Sequence, residues 1–153
     1  MIDIDVHTLG DRIGQEIAVS DWLEVSQARI NQFADATGDH QWIHVDAARA
    51  ATESPFKTTI AHGFLTLSLM SPLIRESIQF TGLRMAINCG LNRVRFVSPV
   101  PSGTRIRARI TTGAVDQIGA AFQVTWHVTV EREHGDTPAC VADWLVRYYP
   151  AKA

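Results

Sequence analysis

A short segment near residue 40 carries the side chains best suited to chemistry. In the stretch ATGDHQWIHVD, residues 36–46, Asp39 and His44 stand five positions apart and follow Gly38. On a helix, residues five apart diverge by roughly 140°, and on a strand they face opposite sides. We therefore expect a loop, where a glycine frees the backbone to bring both side chains to one point. A carboxylate and an imidazole meeting there could perform acid–base chemistry on water.

The two bulky residues between them, Trp42 and Ile43, are expected to anchor this loop by burial. An aspartate is a weak base, with an unperturbed pKa of about 4, and partial burial would raise that pKa. A plainer interpretation stays open. Asp39 could cap a short turn, and His44 could be a hydrogen-bonded histidine of the core.

A second signal is the sequence Ala61-His62-Gly63-Phe64, which opens a long apolar segment, residues 62–80. We predict a helix there. The first N–H groups of a helix are unpaired and carry positive potential, and a glycine lets a ligand carbonyl approach them closely. The Gly63 N–H is therefore a candidate oxyanion donor.

Metal binding is a further alternative. His40 and His44 have the i, i+4 spacing of two ligands on one helix face, and His62 and Asp46 could complete the set. The segment lacks the glutamate of an HExxH motif and has bulky residues inside it. We therefore predict no metal site.

The first half of the chain has helical patterns. Ser26 is placed to cap a helix that Gly38 ends, residues 47–53 indicate one or two helical turns, and residues 16–25 suggest a short edge strand. The segment 62–80 is apolar nearly all round, which predicts a buried helix that Pro72 kinks or divides.

The second half alternates with period two, which is typical of strands. The predicted strands are 83–97, with a bulge at Gly90, and then 103–113, 120–132 and 139–149. The pattern predicts a single α+β domain, residues 1–153, with an antiparallel sheet of about five strands covering one long buried helix. The arginines at 105, 107 and 109 indicate a solvated sheet face.

Composition excludes several classes of protein. With 153 residues, 46% hydrophobic and 20% charged residues and a net charge of −2, the chain is typical of a globular domain without a nucleic-acid surface. The acidic start MIDIDVHTLGDRIGQE lacks an apolar run, so we expect neither a secretion signal nor a membrane span. Cys89 and Cys140 lack metal spacing and are expected to be free, partly buried thiols in the cytoplasm.

Three segments resemble a known family: TGDHQWIHVD, AHGFLTLSLMSPL and RFVSPVPSG (95–103). They are similar to the MaoC-like dehydratases, which include the (R)-specific enoyl-CoA hydratases, and most of all to their nodulation-protein-N-like branch. The family's motif is Gly-Asp-x-Asn-Pro-(Leu/Ile)-His. Matches to it stand at Gly38, Asp39, Ile43 and His44, whereas Gln41 and Trp42 replace the Asn and Pro.

The resemblance implies a hot-dog fold, in which the sheet wraps the helix, and a homodimer with an acyl tunnel near its interface. It implies (R)-specific hydration of a trans-2-enoyl-CoA, or the reverse dehydration, in fatty acid metabolism. Asp39 and His44 would activate the water and the Gly63 N–H would hold the thioester oxygen, with Ser71 and His62 in support. No cofactor is implied, because CoA is part of the substrate.

The departures at Gln41 and Trp42 bear on loop shape and substrate preference, and Phe64, Leu67 and Asn88 are candidates to line the tunnel. Two other functions remain open. A thioesterase on the same fold would direct the water at the carbonyl carbon instead. A non-catalytic acyl-thioester-binding protein would bind without turnover.

Overall fold

A computed structural model of the chain describes residues 1–152 as an antiparallel sheet with helices on one face, which confirms the α+β class. In chain order the elements are β1 (Ile2–Asp5), a 3-10 helix (Val6–Arg12), β2 (Glu16–Val19), β3 (Leu23–Glu24), α1 (Gln27–Thr37), α2 (Trp42–Val45), α3 (Ala47–Glu53), α4 (Gly63–Ser68), α5 (Met70–Ser77), β4 (Ile78–Thr81), β5 (Leu83–Phe96), β6 (Arg105–Ile118), β7 (Ala121–Arg132) and β8 (Cys140–Pro150). Among the helices described, none combines the length and apolarity that a bilayer span requires.

The main sheet has the strand order β2-β6-β7-β8-β5, and β3 also pairs with β6. Six strands thus form a sheet that is five strands wide, close to the predicted number. The register of β5 against β8 shifts between Asn88 and Gly90, which confirms the bulge. A separate parallel pair, β1 with β4, was not indicated by the sequence pattern.

The two faces of β6 show how the alternating pattern is used. Ile106, Ala108 and Ile110 are fully buried in the core beneath the helices. On the other face, three arginines form ion pairs with glutamates on or just beyond the neighbouring strands, namely Arg105 with Glu133, Arg107 with Glu131 and Arg109 with Glu16. The predicted solvated face is therefore confirmed.

The predicted long helix is divided into α4 and α5 at Leu69. Pro72 explains the division, because it has no N–H for the Ser68 carbonyl four residues earlier and its ring crowds that group. The helix ends at Ser77 rather than at residue 80, since residues 78–81 pair with β1 as a strand.

The prediction of a buried helix is confirmed for the face toward the sheet and was wrong for the outer face. Leu65 and Leu73 pack into the core, whereas Phe64 and Ser71 lie on the exposed outer face. The prediction that both cysteines are partly buried was also wrong, because Cys89 is exposed on β5. Burial raises the pKa of the Cys140 thiol to about 11.

The end of α1 delivers the chain to the segment of interest. Ser26 Oγ accepts the Arg29 N–H at 3.3 Å at its start. At its end Gly38 adopts a left-handed conformation, φ +76°, and its N–H donates to the Ala34 carbonyl at 2.8 Å. Both predicted caps are confirmed.

Replacing Gly38 by alanine is expected to lower the free energy of unfolding by about 1 kcal/mol, because a Cβ disfavours the left-handed conformation. Urea denaturation of the variant measures the loss. Gly10→Ala is the matched control. The φ of Gly10 is not positive, and a Cβ added there would lie in open space. Equal stabilities of the two variants would contradict the capping role.

Candidate active site

Three side chains from separate elements meet at one point. One nitrogen or carboxylate oxygen from each of Asp39, His44 and His62 lies within 4.8 Å of the others. Asp39 lies in the loop after α1 and His62 directly precedes α4, but His44 lies on the single helical turn α2 and not in an irregular loop. Convergence is still possible because Asp39 precedes that turn, so the helical angle does not separate the two side chains.

The hydrogen bonds of His44 fix its tautomer. Its Nδ1 lies 2.7 Å from the Ile60 carbonyl oxygen, which can only accept, so Nδ1 carries the proton. Neutral His44 therefore presents an unprotonated Nε2. This atom has no hydrogen-bond partner among residues 1–152, so it is free to accept a proton from a ligand.

His62 connects the two other members of the cluster. Its Nε2–H donates to the Asp39 carbonyl oxygen at 2.9 Å and lies 4.0 Å from Asp39 Oδ2. Its ring stacks on that of His44, with 3.8 Å between centroids and 25° between planes. Its Nδ1 is buried without a hydrogen-bond partner in the part of the chain described.

Burial favours the neutral form of His44. His44 is 7% exposed, and desolvation is the main cause that lowers its pKa below the ordinary value of 6.5, with the adjacent His62 acting in the same direction. The Ile60 carbonyl and Asp39 oppose this shift. The Asp39 side chain is 56% exposed, so the expected partial burial of this carboxylate is not seen within one chain.

The geometry is poorly suited to a metal ion. An ion bound by two imidazoles lies close to both ring planes at about 2.1 Å from each nitrogen. The nearly parallel, stacked rings of His44 and His62 do not provide such a point. The other two candidate ligands have separate roles, since His40 bonds to Asp35 at 2.9 Å and Asp46 caps α3.

A pocket of about 320 Å³ opens beside the cluster. It is lined by His44, Ile60, Ala61, Gly63, Thr66, Phe96, Val97, Ser98, Pro99, Val100 and Ala139. No side chain caps the start of α4, and the first N–H to bond back to His62 is that of Thr66. The Gly63 N–H therefore stays available to a ligand oxygen in the described structure.

Glycine at position 63 also fits a tight contact. A Cβ placed there would lie 3.2 Å from the ring of Phe96, at the end of β5. Phe64, the next residue, is 69% exposed and meets Phe96 edge-on, with 6.1 Å between ring centroids. Phe96 lines the pocket, whereas Phe64 does not line it and reaches it only through this ring contact.

Three other predicted residues lie elsewhere. Leu67, Ser71 and Asn88 line a separate groove of about 140 Å³, together with Trp144, whose Nε1–H donates to Asn88 Oδ1 at 2.8 Å. Ser71 follows Gly63 by eight positions, about 12 Å along a helix. Within one chain, the structure does not bring these residues to the pocket of His44.

The two departures from the family motif lie on the outside of α2. Gln41 is exposed and precedes α2 without a side-chain capping bond. Trp42 is only half-buried, and the guanidinium of Arg49 covers its ring at 4.4 Å from the centroid. Trp42 therefore anchors the turn through α3 rather than through the core.

Two residues that the sequence did not single out support the cluster. Gln27 Nε2 donates to the His44 carbonyl at 2.8 Å, and the hydroxyl of the buried Thr59 donates to Gln27 Oε1. A glutamine at the start of a helix and a threonine in a loop are ordinary there, so only the three-dimensional structure reveals them.

Comparison with known proteins finds a matching family model and similar relatives. The family model "MaoC like domain" matches residues 8–134. The chain is 49% identical over 144 residues to 3-hydroxyacyl-thioester dehydratase Z of Mycobacterium tuberculosis, covering 94% of this chain and 95% of that protein. It is 48% identical to nodulation protein N of Rhizobium leguminosarum, covering 95% and 91% of the two chains.

A solved structure gives the fold. The unliganded (R)-hydratase PhaJ1 of Pseudomonas aeruginosa superposes with a TM-score of 0.73 at 25% identity, covering 92% of this chain and 84% of that one. The sheet and its helix thus form the expected hot-dog fold. Since the family model spans most of the chain and close relatives match nearly all of it, the chain belongs to the MaoC-like dehydratase family.

Proposed function

We propose that this MaoC-like dehydratase adds water to a trans-2-enoyl-CoA to give an (R)-3-hydroxyacyl-CoA, and catalyses the reverse dehydration. The observation that carries the proposal is the free, unprotonated Nε2 of His44 beside the Asp39 carboxylate, at a pocket that also exposes the Gly63 N–H. The names of its relatives, a 3-hydroxyacyl-thioester dehydratase and an (R)-hydratase, support the same hydro-lyase chemistry.

Binding would place the substrate's thioester carbonyl at the start of α4. The Gly63 N–H donates to the carbonyl oxygen and stabilises the negative charge that develops there as the β-carbon is attacked. Water lies between His44 Nε2 and the Asp39 carboxylate, both of which accept its hydrogens. Its lone pair is thereby directed at the β-carbon of the enoyl group.

The proton transfers follow from the tautomer of His44. As the C–O bond forms at the β-carbon, one O–H bond of the water breaks and its proton moves to Nε2. The imidazolium, stabilised by Asp39, then returns this proton to the α-carbon, where electrons displaced from the double bond form the new C–H bond. Atoms and charge balance without an external proton.

The remaining parts of the proposal rest on the family resemblance. No metal or redox cofactor takes part, and CoA enters as part of the substrate. The acyl chain would occupy a tunnel near a dimer interface, with Ser71, Leu67, Asn88 and Phe64 as candidate lining residues. We place the protein in the cytoplasm, in fatty acid metabolism.

The edge strand β5 supports a homodimer. It pairs with β8 on one side only, which leaves an open edge among the described strands. Four of its large apolar side chains are more than one-third exposed: Met85, Ile87, Leu91 and Phe96. Because Phe96 also lines the pocket, a second copy along β5 would lie beside the site.

The catalytic roles of Asp39 and His44, together called the dyad, are tested by conservative substitutions. Asp39→Asn and His44→Gln should each lower the rate of crotonyl-CoA hydration at least about a hundredfold, because each removes an acceptor for the water. The loss of enoyl-thioester absorbance gives the rate, and a thiol assay on the same samples detects any hydrolysis.

The chain offers a matched control in a second Asp–His pair. His127 Nδ1 lies 2.7 Å from Asp143 Oδ1 on the outer sheet face. Asp143→Asn and His127→Gln should leave hydration within about twofold of the native rate. Near-native hydration by either dyad variant would show that the assignment is wrong, and thiol release would favour the thioesterase.

The lowered pKa of His44 predicts the pH dependence of hydration. Neutral His44 is the active form, so kcat should stay constant near neutral pH and fall only below pH 6.5, as Nε2 becomes protonated. A profile of kcat against pH with crotonyl-CoA measures this. A fall of kcat that begins clearly above pH 6.5 on acidification would be inconsistent with proton acceptance by a buried His44.

The homodimer is tested at the β5 edge. Leu91→Glu should convert a dimer to a monomer in sedimentation velocity, because the charge would be buried in an apolar interface. Ile118→Glu is the matched control, since Ile118 is 41% exposed against 40% for Leu91 but lies on β6. A native protein that sediments as a monomer would refute the homodimer.

A further inference from the structure

The helical turn α2 is held in place by two hydrogen bonds of His44. The ring of His44 donates through Nδ1 to the Ile60 carbonyl, and its backbone carbonyl accepts the Gln27 amide at 2.8 Å. The turn α2 itself has only four residues. A single helical turn has little stability of its own, so its position depends on such outside contacts.

The amide of Gln27 is fixed in one orientation. One Nε2–H donates to the His44 carbonyl and the other to Asn31 Oδ1, each at 2.8 Å. Its Oε1 accepts the hydroxyl of Thr59, which is 2% exposed. A flipped amide would set oxygen against oxygen at the His44 carbonyl, so the three partners admit only the observed orientation.

These bonds close a ring through the fold. Gln27, at the start of α1, holds the His44 backbone; the His44 ring holds Ile60; and Thr59, the neighbour of Ile60, holds Gln27. The backbone bond from the Ile60 N–H to the Ile43 carbonyl, 3.0 Å, lies inside this ring. Any movement of α2 relative to residues 59–60 would strain at least one of these hydrogen bonds.

We propose that Gln27 is a positioning residue for the hydratase site, which holds His44 so that its Nε2 is directed at the water between it and Asp39. Gln27 touches neither the pocket nor the reacting atoms and acts only through His44 and Thr59. The expected effect on kcat rests on the proposed function, whereas the expected effect of Gln27 on the position of His44 does not.

Gln27→Met preserves the side chain's length and removes its hydrogen bonds. We expect kcat for crotonyl-CoA hydration to fall about 10- to 100-fold with little change in KM, because a small misplacement of a catalytic group has this effect. Gln117→Met is the matched control, since Gln117 bonds only weakly to the Gly119 carbonyl at 3.3 Å, and its kcat should be native.

Gln27→Glu separates positioning from general destabilisation. It keeps an acceptor for Thr59 but loses the donor to His44 and adds a carboxylate. Together with Asp39 it would favour the imidazolium of His44, while His62, the other titratable group in contact, opposes it. The acid limb of kcat should therefore move to higher pH, because the new carboxylate lies beside His44, whereas general destabilisation alone would leave the limb in place.

A measurement without substrate tests whether Gln27 holds His44 in position. Nitrogen NMR of labelled histidines should show His44 as the pure Nδ1–H tautomer in the native protein and as a tautomer mixture in Gln27→Met. If this variant does not fold, Thr59→Val provides the same test with a smaller expected effect.

Native tautomer signals and native kcat in Gln27→Met would overturn the positioning role. The proposed function would survive that result if Asp39→Asn were still inactive. If instead the native protein hydrated no enoyl-CoA, the proposed function would fail, and the tautomer signals alone would decide whether Gln27 positions His44.

Discussion

The hydrogen bond from His44 Nδ1 to the Ile60 carbonyl is the interaction on which the site depends. It fixes the tautomer, sets the ring orientation and leaves Nε2 free for a proton. Ile60 can serve as the anchor because its N–H bonds to Ile43 and it bridges to Pro101, while the Ala61 N–H bonds to Val100 at 2.8 Å. The segment that presents the start of α4 is thus the one that orients the imidazole.

The site combines buried and exposed parts in a way that suits proton transfer. His44 is buried and stacked on His62, and burial lowers the pKa of His44 so that its neutral imidazole is favoured, whereas the Asp39 side chain reaches the surface. The unpaired Nδ1 of His62 costs roughly 1–3 kcal/mol of desolvation. Such costs are more often tolerated at functional sites than elsewhere in a fold.

Much of this architecture could be predicted from local chemistry. Ser26 and Gly38 bounded α1 because capping depends on the residues themselves, and the alternation in β6 and β7 revealed the buried face. The pairing of β1 with β4 could not be read, because a four-residue strand gains its partner only from tertiary contacts. The break at Leu69 was foreseen through Pro72, but the exposed outer face of the helix was not.

Only part of the candidate site could be predicted, because local residue types and spacing are visible in the sequence and long-range contacts are not. Asp39, His44 and Gly63 carry recognisable residue types at short spacing, and the structure places them around one pocket or at its edge. Gln27 and Thr59 act through long-range hydrogen bonds, which no local pattern reveals. Ser71 and Asn88 line a different groove within one chain, so their predicted roles depend on an assembly and remain proposals.

The most direct test of the central claim is to follow crotonyl-CoA in water labelled with heavy oxygen, using mass spectrometry of the products. We expect hydration, which gives an intact thioester that has gained one labelled water, with the oxygen on the β-carbon. Labelled oxygen in a free carboxylic acid, with release of CoA, would contradict it and indicate a thioesterase. Bound but unchanged substrate across a series of chain lengths would contradict it in favour of a non-catalytic binder.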